Sequence, residues 1–83
     1  MKLLYFAWVR QKVGRGEEIL APPANVRTVA DLAHHLRLRG NGYAEAFSDM
    51  TRLRAAVNQR HATLDAAIGA DDEIAFFPPV TGG

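Results

Sequence analysis

The sequence predicts an α+β roll in which a mixed sheet of four to five strands wraps one main helix. Two short apolar runs near the chain ends, residues 2–9 (KLLYFAWV) and 73–77 (EIAFF), read as strands. One long amphipathic stripe lies between them. Proline pairs and glycines punctuate the remainder at short intervals, with no repeat and no linker, so strands and helix share one layer arrangement.

Residues 2–9 are rich in aromatic and branched side chains and too short for a stable isolated helix. Leu3, Tyr5, Ala7 and Val9 fall on one parity, and Leu4, Phe6 and Trp8 on the other. A strand apolar on both faces is wetted on neither, or only until a partner covers it. Trp8 is expected to pack near the end of that strand. Residues 10–13 allow one helical turn before the flexible Gly14-Arg15-Gly16, and residues 17–21 (EEILA) read as a second strand paired antiparallel with the first. Pro22-Pro23 closes it. Thr28 then offers an N-cap with Asp31 as capping-box partner, and Val29, Leu32, Ala33 and Leu36 form one buried stripe. Arg37 and Arg39 suit the C-terminal end of that helix, and Gly40 supplies its stop. Asn41-Gly42 reads as a turn and residues 43–47 as a short packed segment. Residues 54–57 (RAAV) form a third strand, Asn58-Gln59 turn, and residues 60–62 return. Residues 64–68 bridge across the surface, and a polar turn over 69–72 leads into the last strand, which Pro78-Pro79 end because neither can donate a ladder hydrogen bond.

Composition narrows the function. The chain has 83 residues, one domain's worth, expected to bury on the order of 60% of its unfolded surface. That is too little for a deep enclosed cavity. Its 48% apolar and 23% charged residues exclude disorder. With no cysteine, disulfides, zinc–thiolate sites, iron–sulfur ligation and thiol nucleophiles all drop out. A net charge of +1 speaks against nucleic acid as a partner. The N-terminal apolar run is too short for a membrane span, which needs about 20 apolar residues, and has no cleavage site, so a cytoplasmic protein without a membrane partner is expected.

Familiar catalytic constellations are missing. The single serine, Ser48, has no elbow glycines, and neither a phosphate loop nor a dinucleotide fingerprint occurs. His34 and His35 are adjacent, about 100° apart on a helix, and cannot share a ligand face, so no metal site is expected. Asp71-Asp72-Glu73 reads as a solvated turn. Arg52, Arg54 and Arg60 form a loose basic zone suited to solvent or a partner. The unusual feature is residues 78–83, PPVTGG. Six extended residues at ~3.3 Å each reach ~20 Å, beyond the ~12 Å radius of gyration expected of residues 1–77 as a domain. Two side-chain-free glycines let a carboxylate enter a passage too narrow for any other residue.

The ending EIAFFPPVTGG, together with AAVNQ upstream and LLYFAWVRQKVG at the start, resembles the small, sulfur-carrier subunits of molybdopterin synthase along essentially the whole chain. The resemblance implies a ubiquitin-like β-grasp fold and a C-terminal chemistry. An E1-like adenylyltransferase, using ATP and magnesium, would convert the Gly83 carboxylate into an acyl-adenylate. Persulfide sulfur from a cysteine desulfurase or related donor would then give a thiocarboxylate. Gly82, preceded by Pro78, Pro79, Val80 and Thr81, would thread into the active site of the large synthase subunit. There sulfur would pass to cyclic pyranopterin monophosphate, two deliveries building the dithiolene of molybdopterin. The chain itself would hold no cofactor. The resemblance also implies a heterotetramer around a dimer of large subunits, and it puts Phe6, Arg10, His61 and Phe77 on the docking face. His61 stands where the family often has an aliphatic residue. Carriers for thiamine, cysteine or tRNA thiolation share the terminal chemistry, and a ubiquitin-like protein modifier or binding module is the reading from another class.

Overall fold

The computed structural model describes residues 1–79 and runs β1 (Lys2–Tyr5), α1 (Ala7–Val13), β2 (Glu17–Ile19), α2 (Val29–Arg37), α3 (Asn41–Ala46), a 3-10 turn (Met50–Arg52), β3 (Arg54–Val57), β4 (Arg60–Ala62) and β5 (Glu73–Phe77). The expected tail positions Val80, Thr81, Gly82 and Gly83 lie outside the described residues. The strands form one sheet ordered β2-β1-β5-β3-β4. Its centre is the parallel pair β1 and β5, with Leu3 opposite Ile74 and Tyr5 opposite Phe76, and all other pairs are antiparallel. This is the ubiquitin-like β-grasp roll, with five strands.

Side chains alternate across a strand. Leu3, Tyr5, Ala55, Ile74 and Phe76 therefore leave one face of the sheet and are buried with the α2 stripe Val29, Leu32, Ala33 and Leu36. The capping box forms: the Asp31 amide donates to Thr28 Oγ1 at 3.1 Å, and the Thr28 amide to Asp31 Oδ2 at 3.1 Å. Phe47 closes the core edge-on to Phe76, with ring centroids 4.9 Å apart.

The structure corrects the first strand. It ends at Tyr5, not Val9, because Phe6 caps α1 and Ala7 turns the chain with a left-handed φ of 53°. Val9 is thus buried from a helix, and Trp8 packs on the core margin from α1. A left-handed alanine has no sequence signature, and the two-parity pattern came from a strand and a helix laid end to end. Gly14, at φ 89°, ends α1 by donating its amide to the Arg10 carbonyl. Three smaller differences follow. β2 stops at Ile19, two residues early; α2 ends at Arg37 with Leu38 as its cap; and Asn41-Gly42, expected as a turn, opens α3. Gly42 is where α1 and α3 touch: a Cβ there would sit 1.7 Å from the Lys12 carbonyl oxygen. No helix among the described residues is long and apolar enough to cross a membrane.

Candidate functional site: an open sheet face at the root of the C-terminal segment

The residues that alternate with the core positions make the second face, which no helix among the described residues covers. One register row crosses it as Glu17, Leu4, Ala75, Ala56 and His61. The two alanines keep the middle of the row low. Toward the end where β5 finishes, Phe6 and Phe77 stand above it. Phe6 is 49% exposed although its amide is tied to the Phe76 carbonyl at 3.1 Å. The left-handed turn at Ala7 lets this happen. It releases the chain from the sheet just after Phe6, so Phe6 keeps the outward parity of Leu4 while Val9 turns into the core. A non-glycine residue in this region costs about 1 kcal/mol or more, strain of the kind held at functional positions.

Phe77 is half-buried, with Arg54 beside it on β3 and the His61 ring edge-on at 5.5 Å and 81°. Pro78 and Pro79, both half-buried, follow directly. Arg10 projects from α1 and lies against Gly16, where a Cβ would be 3.1 Å from its Cζ. Ile19, 77% exposed, carries apolar surface to the β2 edge.

Under that edge, on the core side, sits a polar cluster centred on Glu18, whose side chain is only 9% exposed. It accepts hydrogen bonds from the Tyr5 hydroxyl at 2.6 Å, the Tyr43 hydroxyl at 3.0 Å and Arg39 Nη1 at 2.9 Å, and Arg15 lies 3.3 Å away. Burial alone would raise the Glu18 pKa. The hydrogen bonds from Tyr5, Arg39 and Tyr43 outweigh it and hold the carboxyl below its ordinary range. Burial, reinforced by the bond to Glu18, pushes the Tyr5 phenol well above its usual range, so it remains a donor at any working pH. The cluster ties β2 to α3 and to the segment after α2. Nothing in it is left free to act on a substrate.

Among the described residues no group of three His, Cys, Asp or Glu side chains is placed to hold a metal ion. What the geometry offers is an apolar, aromatic-tipped surface ending at the root of a glycine-terminated segment. Over residues 3–83 the sequence matches the ThiS family. The chain belongs to that family. Within it, the chain is 42% identical to the molybdopterin synthase sulfur carrier subunit of Escherichia coli (strain K12), an alignment covering 100% of this chain and 99% of that one. The ThiS-family fold is also seen in SAMP1 (small archaeal modifier protein 1) from Haloferax volcanii, at a TM-score of 0.72 and 26% identity over 100% of this chain and 98% of that one. A protein–protein complex of subunits 1 and 2 of molybdopterin-converting factor from Helicobacter pylori contains a chain with the same fold, at a TM-score of 0.63 and 18% identity over 99% of this chain and 96% of that one.

In this ThiS-family member the structure brings Phe6, Phe77 and His61 onto one face, and it sets Arg10 on the helix at its rim. Pro78 and Pro79 follow β5 directly. Sequence reasoning missed two features. The Glu18 cluster was hidden because EEILA reads as an ordinary edge strand, and its partners lie 13, 21 and 25 residues away. Ala7 was hidden because its role lies in the backbone alone.

Proposed function

We propose that this chain carries sulfur on its C-terminal glycine and delivers it inside the large subunit of molybdopterin synthase. The observation that carries the reading is that β5 ends at Phe77 on the open apolar face, so docking that face aims residues 78–83 in one direction. Relatedness to named sulfur carrier subunits along the full chain supports it, and the two-subunit complex from Helicobacter pylori supports a large-subunit partner.

A carboxylate is a poor acyl donor because its leaving group would be oxide. Adenylation by an E1-like partner with ATP and magnesium makes AMP the leaving group at the Gly83 carbonyl, with pyrophosphate released. The terminal sulfur of a donor's persulfide attacks that carbonyl and expels AMP. A thiol then cleaves the resulting acyl disulfide, leaving the thiocarboxylate and a disulfide. The thiocarboxylate keeps its negative charge near a soft sulfur, so at neutral pH it attacks an electrophilic carbon of the pyranopterin and breaks the C–O bond there, the oxygen leaving on the opened cyclic phosphate or, once protonated, as water. Hydrolysis of the thioester so formed leaves sulfur on the substrate and returns the Gly83 carboxylate. The chain contributes the extended prolines, the narrow Gly82 and the docking face, and the pocket belongs to its partner.

Intact-mass spectrometry after incubation with the E1-like partner, ATP and a persulfide donor is expected to show the exchange of one oxygen for sulfur. Conversion of the pyranopterin precursor should then require the large subunit and vanish when Gly83 is deleted, with the melting temperature unchanged. If no sulfur-bearing species forms, the reading fails. Capture instead as an isopeptide on protein lysines would favour a modifier, the role named for the Haloferax volcanii relative.

A further inference from the structure

Three arginines gather where β5 hands the chain to Pro78, and none of them is in an ion pair among the described residues. Arg54 opens β3 directly beside Phe77. Its Nη1 donates to the carbonyls of Thr51 at 3.2 Å and Leu53 at 2.8 Å, which fix the guanidinium without neutralising it. Arg52, on the 3-10 turn, lies over the Trp8 indole, 5.2 Å from the ring centroid, and so links the approach to β3 with α1. Arg10 lies against Gly16, which is at the same end of the sheet because its carbonyl accepts the Tyr5 amide at 2.9 Å.

Two carboxylates lie nearby; both stay ionised and offset part of the positive charge, while their own hydrogen bonds hold them away from a direct ion pair with the arginines. Asp49, close to Arg52, has its Oδ1 taken by the Thr51 hydroxyl at 2.6 Å and amide at 3.0 Å. Asp65, on the wall of a cavity shared with Arg54, accepts from Thr63. Arg15 is committed to Glu18, Lys12 to Glu45 and Lys2 to Glu17.

Guanidiniums pre-set by carbonyl and indole contacts, at the same sheet end as the exposed Phe6 and half-buried Phe77, suit protein recognition. Asp49 and Asp65 offset only part of the three positive charges, and covering the remainder without counter-charge is unfavourable, so an acidic surface suits the patch best. A phosphate backbone fits less well, since the patch is short, interrupted by Phe6 and Phe77, and set in a chain of net charge +1. We propose that Arg10, Arg52 and Arg54 form a cationic collar around the root of residues 78–83, which seats on a rim of Asp and Glu carboxylates surrounding the partner protein's channel. The collar steers the tail to the channel mouth before the apolar face closes. It rests on the carrier reading in so far as a partner must admit the tail.

The test measures association of the full chain with immobilised large subunit, comparing wild type with the R52Q/R54Q double variant at about 20 mM and roughly 500 mM salt, where screening lengths differ severalfold. The variant is expected to associate about tenfold more slowly at low salt and within about twofold of wild type at high salt, with dissociation nearly unchanged. Equal association rates at both salts overturn the collar and leave the carrier reading intact. If wild type binds at neither salt, both fall. Retention of wild type but not the variant by a short DNA duplex, with large-subunit association unaltered, also overturns the collar. Should loss of the carbonyl contacts unfold the double variant, R52Q alone keeps the test, with about a threefold slowing expected at low salt.

Discussion

The two faces of the sheet are made from the same strands and differ by one step in sequence. On β5, Ile74 and Phe76 are fully buried against α2, while Ala75 and Phe77 look away from it. On β1, Leu3 and Tyr5 go inward, and Leu4 and Phe6 outward. The inner face is filled by its own helix and stabilises the fold. The outer face also carries apolar side chains, Leu4, Phe6, Ala75 and Phe77, yet none of the described helices covers it. Apolarity alone therefore does not mark a core; what separates the two is whether the chain supplies a matching stripe.

Substitutions can break that contrast. The largest effect is expected on the inner side: Leu32→Ala leaves a cavity under the sheet and should cost about 2–5 kcal/mol in denaturant unfolding. A cost below about 1 kcal/mol would show that α2 packs loosely. Next is Glu18→Gln, expected to cost about 2 kcal/mol because it replaces charge-assisted hydrogen bonds to Tyr5, Tyr43 and Arg39. The pH dependence follows from the lowered Glu18 pKa. Stability from this group is fully present above the ordinary glutamate range and is lost as pH falls through that range to the depressed folded value. The variant should lack that part of the acid-side loss, and identical acid limbs would remove Glu18 from the account.

On the outer side, Phe6→Ala is expected to change unfolding free energy by less than about 1 kcal/mol. Docking to the large subunit should weaken by about 2 kcal/mol. A large loss of stability with unchanged docking would reverse the assignment of faces. The smallest effect belongs to the hinge between the faces. Ala7→Gly relieves the left-handed backbone and should raise stability by about 0.5 kcal/mol, part of the relief being offset by entropy gained in the unfolded chain.

Much of this arrangement is legible in the sequence. Thr28 and Asp31 announce α2, its stripe names the buried residues, and β3 and β5 fall on the expected positions because turn residues and prolines bracket them. The first strand is misread beyond Tyr5 because continuous apolarity cannot tell a strand from a strand followed by a helix, and the turn between them uses alanine. At the candidate site, Phe6, Phe77 and His61 are legible as residues, but their shared face depends on register across strands far apart in sequence. Arg52 and Arg54 read as a diffuse basic zone; in the structure Arg52 lies over the Trp8 ring and strand register sets Arg54 beside Phe77.

The central place of β5 has a consequence for synthesis. The middle of the sheet is occupied by the last of the five described strands in chain order, wedged between β1 and β3. A nascent or prematurely terminated polypeptide that stops short of it keeps two hairpin-like halves with no shared backbone ladder. Closure of the sheet therefore waits for β5, and a product truncated before it lacks both the shared ladder and the residues that follow Phe77.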